Sequence, residues 1–409
     1  MNEIVNIFKS RPFLAVSLSS LLLLVCCYHF VHRLGLNLSI LVGISAITLF
    51  ISLSKEIIAF FKESLENKRK NLIVLCILFF SGLGLVLNFE NIQEIGFFVI
   101  LFFSFYLIFK GKDNILKNFI FNLVIFSGVL MSVGVLIGLF ESIFLSSKLF
   151  YQIYDDYPYV DQKFIFSGFG YNHNFSAIII VVAQSFLFLS SSAVMKNLRK
   201  YLTVLFLLAL VITGARIFVL FISLIICNYF IQDKIKKNVV NIILVTLYLL
   251  AAHIVISFDG SNRVGSIHYN ELLFSVVGID FIQGVYGFIK VEYFFELKDN
   301  FFLPTNLKDI TQILNFDPHN LIFSLIILGG FPLMLSVLIF LAKGIYENFR
   351  VIEEKYPNYY FCGLISIITE TFLYDSANSI FFWIIILYAI TISKNSYPPD
   401  NKSSISINN

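Results

Sequence analysis

The sequence predicts an all-α, polytopic integral membrane protein of about twelve transmembrane helices, with one large loop on the periplasmic side. Three observations point there. The chain is 58% hydrophobic and only 13% charged over 409 residues, with a mean hydropathy of +0.85. A soluble domain is about half apolar and about a quarter charged. Its apolar runs recur at about 15–22 residues between polar clusters, the length a hydrocarbon core about 30 Å thick asks of a helix. One long stretch, 258–320, breaks this pattern with polar, acidic and aromatic residues. The period excludes a transmembrane barrel, whose strands would alternate over about ten residues.

In chain order the apolar periodicity places spans at 13–32, 34–54, 71–88, 95–109, 119–140, 175–194, 201–215, 217–231, 239–257, 321–342, 359–373 and 379–393. Residues 1–140 form the N-terminal group. Residues 141–257 hold the central spans and an outer loop, 141–174, that carries Asp155, Asp156, Asp161 and several tyrosines. The large periplasmic loop is 258–320, the C-terminal spans are 321–394, and 395–409 is a polar cytoplasmic tail containing Pro398-Pro399. The first apolar stretch has a basic flank and no small-residue cleavage site after it, so it is expected to be a retained span.

Orientation follows from the basic residues. With the N-terminus cytoplasmic, 21 of the 29 Lys and Arg fall on inside segments, among them Lys68-Arg69-Lys70 and Lys234, Lys236 and Lys237. The eight outside are Arg33, Lys148, Lys163, Arg216, Arg263, Lys290, Lys298 and Lys308. Reversing the chain would invert the bias that sets topology. A multi-pass protein of the inner (cytoplasmic) membrane type is expected.

Several function classes are excluded. A net charge of +3 is too small to argue for nucleic acid. Cys26, Cys27, Cys76, Cys227 and Cys362 lie in or beside apolar runs without a C-x-x-C pair, so they read as small core residues. No His, Asp or Glu set has metal-ligand spacing, and neither glycine-rich phosphate loop occurs, so no metal or cofactor is expected. The 48 Phe and 20 Tyr, against a single Trp, read as lipid-facing filler and interface anchors.

The residues able to carry chemistry lie at the outer face. Arg216 ends a Thr213-Gly214-Ala215-Arg216 turn between two spans. An arginine there either reaches for headgroup phosphates or grips a phosphate ligand with its planar fork. Arg263 follows the ninth span within Asp259-Gly260-Ser261-Asn262-Arg263, ahead of a stretch, 266–283, with the spacing of an amphipathic surface helix. His319 and Asn320 follow Asp317-Pro318 at the mouth of the tenth span. A histidine can exchange a proton near neutral pH. Asn172, His173 and Asn174 open the sixth span, where an asparagine either caps the helix or meets sugar hydroxyls. Within the spans ionisable groups are scarce, and Glu370 is the clearest exception.

Taken in order, these pieces resemble the O-antigen ligase and O-antigen polymerase superfamily of bacterial envelope glycosyltransferases. The matching elements are Gly170-Tyr171-Asn172-His173-Asn174 with Ala177, Thr213-Gly214-Ala215-Arg216, Arg263 with Gly284-Val285-Tyr286-Gly287, and His319-Asn320 with Gly329-Gly330. They cover about 160–345. The family has Ser-Arg or Thr-Arg in its turn, where this chain has Ala215 before Arg216. The resemblance implies a glycan donor carried on undecaprenyl diphosphate and transferred on the periplasmic face, with membrane lipids and a chain-length regulator as further partners. It implies Arg216 and Arg263 on the diphosphate, His319 as base for the acceptor hydroxyl, and Asn172, Asn174 and Asn320 on the glycan. The acceptor is a lipid-linked repeat unit for a polymerase, or lipid A–core or a protein for a ligase. Polymerase is preferred because the loop has no acceptor-specific insert, and ligase stays open. A third class is a lipid-linked-oligosaccharide flippase, whose fold would favour internal repeats and intramembrane charge.

Overall fold

The computed structural model describes residues 7–258, 302–304 and 321–391, apart from breaks at 37, 68–70, 146–147, 158–159, 171, 191–192, 356–357 and 375–378. The fold is predominantly helical. Helices α1 (Pro12–Arg33), α2 (Ser39–Ser52), α3 (Ser54–Glu66), α4 (Leu72–Leu87), α5 (Ile92–Lys110) and α6 (Asn114–Phe144) make the N-terminal part. A β-hairpin of β1 (Tyr151–Tyr157) and β2 (Val160–Phe166) follows. Then come α7 (His173–Leu187), α8 (Ala193–Thr213), α9 (Arg216–Phe230), α10 (Lys234–Phe258), α11 (Leu321–Lys355), α12 (Asn358–Tyr374) and α13 (Ile380–Thr391).

Each expected apolar stretch overlaps a helix, though 175–194 runs past the end of α7 at Leu187 and 34–54 runs through α2 into the start of α3. Among the described residues, three helices are long and apolar enough to cross a membrane: Phe89–Lys110, Asn114–Phe144 and Ser324–Asn348. The pair α2 and α3, bent by 56°, makes a fourth if counted as one span. The bend falls where the expected stretch 34–54 ends and Lys55, Glu56, Lys62 and Glu63 enter. Arg11 pairs with Glu56 at 2.6 Å and Lys110 with Glu63 at 2.7 Å, which anchors α3 at the charged margin.

Two expectations are corrected. The fold is not wholly α-helical, because β1 and β2 pair antiparallel with Tyr151 opposite Phe166 and Tyr157 opposite Val160. Tyr and Ile in β1 and Val, Phe and Ile in β2 suit a pleated strand more than a helix. Among the described residues, many aromatics also lie inside the bundle, where surface filler was expected. Trp383, Phe98, Phe102, Phe103, Phe105, Phe109, Phe186 and Phe381 are fully buried, and the ring of Trp383 meets Phe102 edge-on at 5.2 Å. Helix α13 is buried from Ile380 to Ile390 and α7 from Ser176 to Leu187, so these two form the centre of the bundle.

Contacts between the helices settle which ends lie together. Phe188, just past α7, stacks on Tyr359 in the first turn of α12 at 4.2 Å. Asn228, late in α9, bonds Asn241, early in α10, at 2.9 Å and Cys362, early in α12, at 3.5 Å. The C-termini of α7 and α9 therefore share an end with the N-termini of α10 and α12. Late in α13, Tyr388 meets Tyr360 of α12 at 5.8 Å and Phe109 of α5 at 5.5 Å, which brings Lys110 to this same end. Lys196, Arg199 and Lys200 of α8 and Lys234, Lys236 and Lys237 of α10 belong to it as well; it is the basic end. The opposite, loop end collects the starts of α7 and α9, the end of α12 and the outgoing half of α10.

Helix α11 breaks. Gly329 and Gly330 leave helical geometry, Gly330 at φ 72° and ψ −178°, and Pro332 follows. Proline lacks the N–H that would reach back to Leu328 and crowds its carbonyl. Asn348 donates to the carbonyl of Ile390 at 2.9 Å, which puts the far end of α11 at the basic end. The break, about 25 Å up the axis from Asn348, therefore lies toward the loop end. There Phe302 packs on Phe331 with ring centres 5.7 Å apart, and a Cβ on Gly330 would collide with the Phe302 carbonyl.

Candidate functional site

The turn between α8 and α9 carries the first expected site residue. Gly214 takes φ +63°, a conformation that costs glycine nothing and most residues a good deal. Thr213 gives its hydroxyl to the carbonyl of Leu210 at 2.7 Å, closing α8. Ala215, 2% exposed, stands at the N-cap of α9 without a side-chain cap bond. A side-chain hydroxyl is thus absent from a position where it would have served as a cap. Arg216 is the first residue of the helix proper and is half-buried. A cation at a helix N-terminus opposes the dipole, which favours anions there. Guanidinium and uncapped amides together form an electropositive spot suited to an oxyanion.

The start of α7 lies at the same end. Asn172 caps that helix, its Oδ1 accepting from the Phe175 amide at 2.8 Å. Of the two roles open to it from sequence, the capping one is realised for this oxygen. Asn174 is half-buried, and its buried Oδ1 has no hydrogen-bond partner among the described residues. It is the better placed of the two asparagines to accept from a ligand hydroxyl.

Two groups that sequence reasoning passed over hold this region in place. Arg33, at the end of α1, donates to the carbonyl of Leu149 at 2.8 Å and to the hydroxyl of Ser167 at 3.0 Å. Glu141, 2% exposed, accepts from the amides of Leu149 and Phe150 at 2.8 Å each. Together they pin both roots of the hairpin, and Ser176 in α7 ties back to the carbonyl of Ser167. Arg33 was one of the eight basic residues expected outside; its partners give it a structural task at that face. The sequence signal was a charge at the edge of an apolar run, and the partners lie more than 100 residues away.

Glu370 lies in the second half of α12, toward the loop end. It is 1% exposed. One oxygen accepts from the Tyr248 hydroxyl of α10 at 2.6 Å, and the other, Oε1, has no hydrogen-bond partner among the described residues. Arg216 of α9 and Asn174 of α7 thus lie toward the same end of the bundle as the Glu370–Tyr248 pair of α12 and α10.

Of the expected site residues, Arg263, His319 and Asn320 lie outside the described residues, as does the stretch 266–283. Helix α10 ends at Phe258 and α11 begins at Leu321 at the loop end, so the chain between them departs from and returns to the side where Arg216 sits. Among the described residues no group of three His, Cys, Asp or Glu is placed to hold a metal ion. No known protein family, no curated protein and no solved structure matches the chain.

Proposed function

We propose that this chain is a membrane glycosyltransferase of the bacterial inner membrane. It would transfer a glycan from undecaprenyl diphosphate on the periplasmic face, as a repeat-unit polymerase of O-antigen or capsule. The observation that carries the reading is convergence. Asn172 and Asn174, Arg216, and the Gly329-Gly330 break all lie toward one end of the bundle, opposite the basic end. That partition also supports a topology of about twelve spans with the basic end cytoplasmic and loop 258–320 periplasmic.

The chemistry follows from the residue types. The acceptor hydroxyl oxygen attacks the anomeric carbon of the donor sugar, and the bond from that carbon to the phosphate oxygen breaks. The electron pair leaves on the diphosphate. Arg216, with the first-turn amides of α9 and with Arg263, stabilises that growing charge where little water competes. The proton of the acceptor hydroxyl passes to His319. Asn174 and Asn320 contact the glycan, and Asn172 holds the start of α7 that carries Asn174.

The test is glycan extension in cells lacking the native gene. Arg216→Ala and Arg263→Ala are each expected to lose about a hundredfold in rate, the worth of about 3 kcal/mol of transition-state stabilisation, while the protein still accumulates in the membrane. Normal chain length in both variants would remove the arginines from the mechanism. Transfer to lipid A–core or to a protein, without chain growth, would make the chain a ligase. A buried carboxylate and a broken helix also favour a second reading, transport of a lipid-linked oligosaccharide. Flux of that substrate across proteoliposomes without extension would establish it in place of transfer.

A further inference from the structure

Helix α3 follows α2 at a bend of 56° and is 13 residues long. Two ion pairs fix where it lies. Glu56, in its first turn, meets Arg11 just ahead of α1 at 2.6 Å, and Glu63, in its last turn, meets Lys110 at the end of α5 at 2.7 Å. Arg33 closes α1 at the loop end, so Arg11 belongs to the basic end, where Lys110 also lies. Two points of α3 about 10 Å apart along its axis are thus held at one margin of the bundle. A helix that continued the span of α2 would carry them to different depths; this one runs along the margin.

The circumference of α3 divides into sectors. Phe60, 3% exposed, and Ser64 face the bundle, where Phe60 meets Phe103 edge-on at 5.0 Å and Ser64 accepts from Asn71 at 2.8 Å. Glu56 and Glu63 are engaged by the cations of α5 and the start of α1. Ile58, Phe61 and Leu65, spaced i, i+3 and i+7, form an outward apolar stripe, 68%, 44% and 76% exposed. Beside that stripe run Lys55, Lys62 and Glu66, all exposed. Neither lysine takes part in an ion pair among the described residues. An apolar stripe bordered by lysines, on a helix laid along the margin of a membrane protein, is the pattern of a helix resting among lipid headgroups.

We propose that α3 is an interfacial helix that binds anionic phospholipid in the leaflet at the basic end. Ile58, Phe61 and Leu65 enter the boundary between headgroups and acyl chains, and Lys55 and Lys62 hold lipid phosphates. Charge complementarity names the occupant. The acids that could neutralise the two lysines, Glu56 and Glu63, are turned to Arg11 and Lys110, and Lys68, Arg69 and Lys70 follow α3 in the sequence. Basic residues at a membrane surface gather anionic lipid over zwitterionic lipid. The inference does not depend on the reaction assigned above; it adds a lipid-binding surface at the end of the bundle away from the starts of α7 and α9.

The test uses the tryptophan fluorescence of the full-length protein in lipid vesicles. The chain has one Trp, Trp383, which is 0% exposed and packed against Phe98 and Phe102, so lipid does not reach it. Phe61→Trp adds a reporter on the stripe. Lipid brominated just below the headgroup is expected to quench the reporter more than lipid brominated deep in its chains. With brominated phosphatidylglycerol as the minor lipid, quenching should indicate about fivefold stronger association than with the same fraction of brominated phosphatidylcholine, the worth of one net basic charge at an anionic surface. Lys55→Gln combined with Lys62→Gln should abolish that preference and leave quenching by phosphatidylcholine unchanged, whereas Glu66→Gln should raise the preference. A reporter that no brominated lipid quenches would mean that protein, a second copy included, covers the stripe, and overturns the inference. Stronger quenching from deep bromine would put α3 inside the hydrocarbon and overturn it as well. Equal quenching by the two lipids, or a preference that survives loss of both lysines, overturns the assignment to anionic lipid. If Phe61→Trp does not accumulate, Leu65→Trp, at the more exposed end of the stripe, decides in its place.

Discussion

Replacing Glu141 with alanine should unfasten the hairpin at the loop end without unfolding the bundle. The carboxylate is 2% exposed and accepts two backbone N–H groups, those of Leu149 and Phe150, at 2.8 Å each. A hydrogen bond to a charged group contributes about 1.5–3 kcal/mol, and a buried donor left alone costs about 1–3 kcal/mol. Removing the carboxylate also ends the expense of burying it. A net loss of about 3 kcal/mol is expected, or about a hundredfold in the local opening equilibrium. The readout is amide hydrogen exchange in detergent. Leu149 and Phe150 should exchange about a hundred times faster, while amides in the centre of α7 and α13 stay protected. Glu141→Gln keeps one acceptor oxygen and should recover about half of the free energy. The roots of the hairpin are also held by Arg33, so Arg33→Ala should loosen the same segment. Unchanged exchange at Leu149 and Phe150 in Glu141→Ala would refute the idea that this carboxylate fastens the loop.

Three further outcomes are expected. His319→Ala and His319→Gln should both cut transfer about 10²–10⁴-fold, the contribution of a positioned base. His29→Ala, His32→Ala and His253→Ala should be mild, and full-length polymer with His319→Gln would reduce that histidine to a positioning role. Arg216→Lys should recover only part of the activity lost in Arg216→Ala, because an ammonium lacks the bidentate fork; full recovery would show that charge alone suffices. A topology reporter fused within 258–320 should signal the periplasm and one at 56–70 the cytoplasm, and a cytoplasmic signal from the large loop would place transfer on the wrong face.

What the sequence determined by itself was where the chain would be helical. Long apolar runs favour the structure that satisfies the backbone's own polar groups within one segment, and every expected stretch overlaps a helix, though among the described residues only three, or four with the bent pair, are long and apolar enough to cross a membrane. The turn at Gly214 and the choice open to Asn172 were also legible, because glycine and asparagine have narrow local uses. What only the tertiary structure decided was what each helix faces. Helix α13 is apolar all round and α7 nearly so, and such a pattern does not say whether lipid or protein surrounds them; here it is protein, and many of the described aromatics became a core. The same blindness hid the partners of isolated charges. Glu141 and Leu149 are eight residues apart, but Arg33 finds Leu149 116 residues away and Tyr248 finds Glu370 122 residues away. No periodicity records such a meeting, because packing of whole helices, and not local spacing, brings those side chains together.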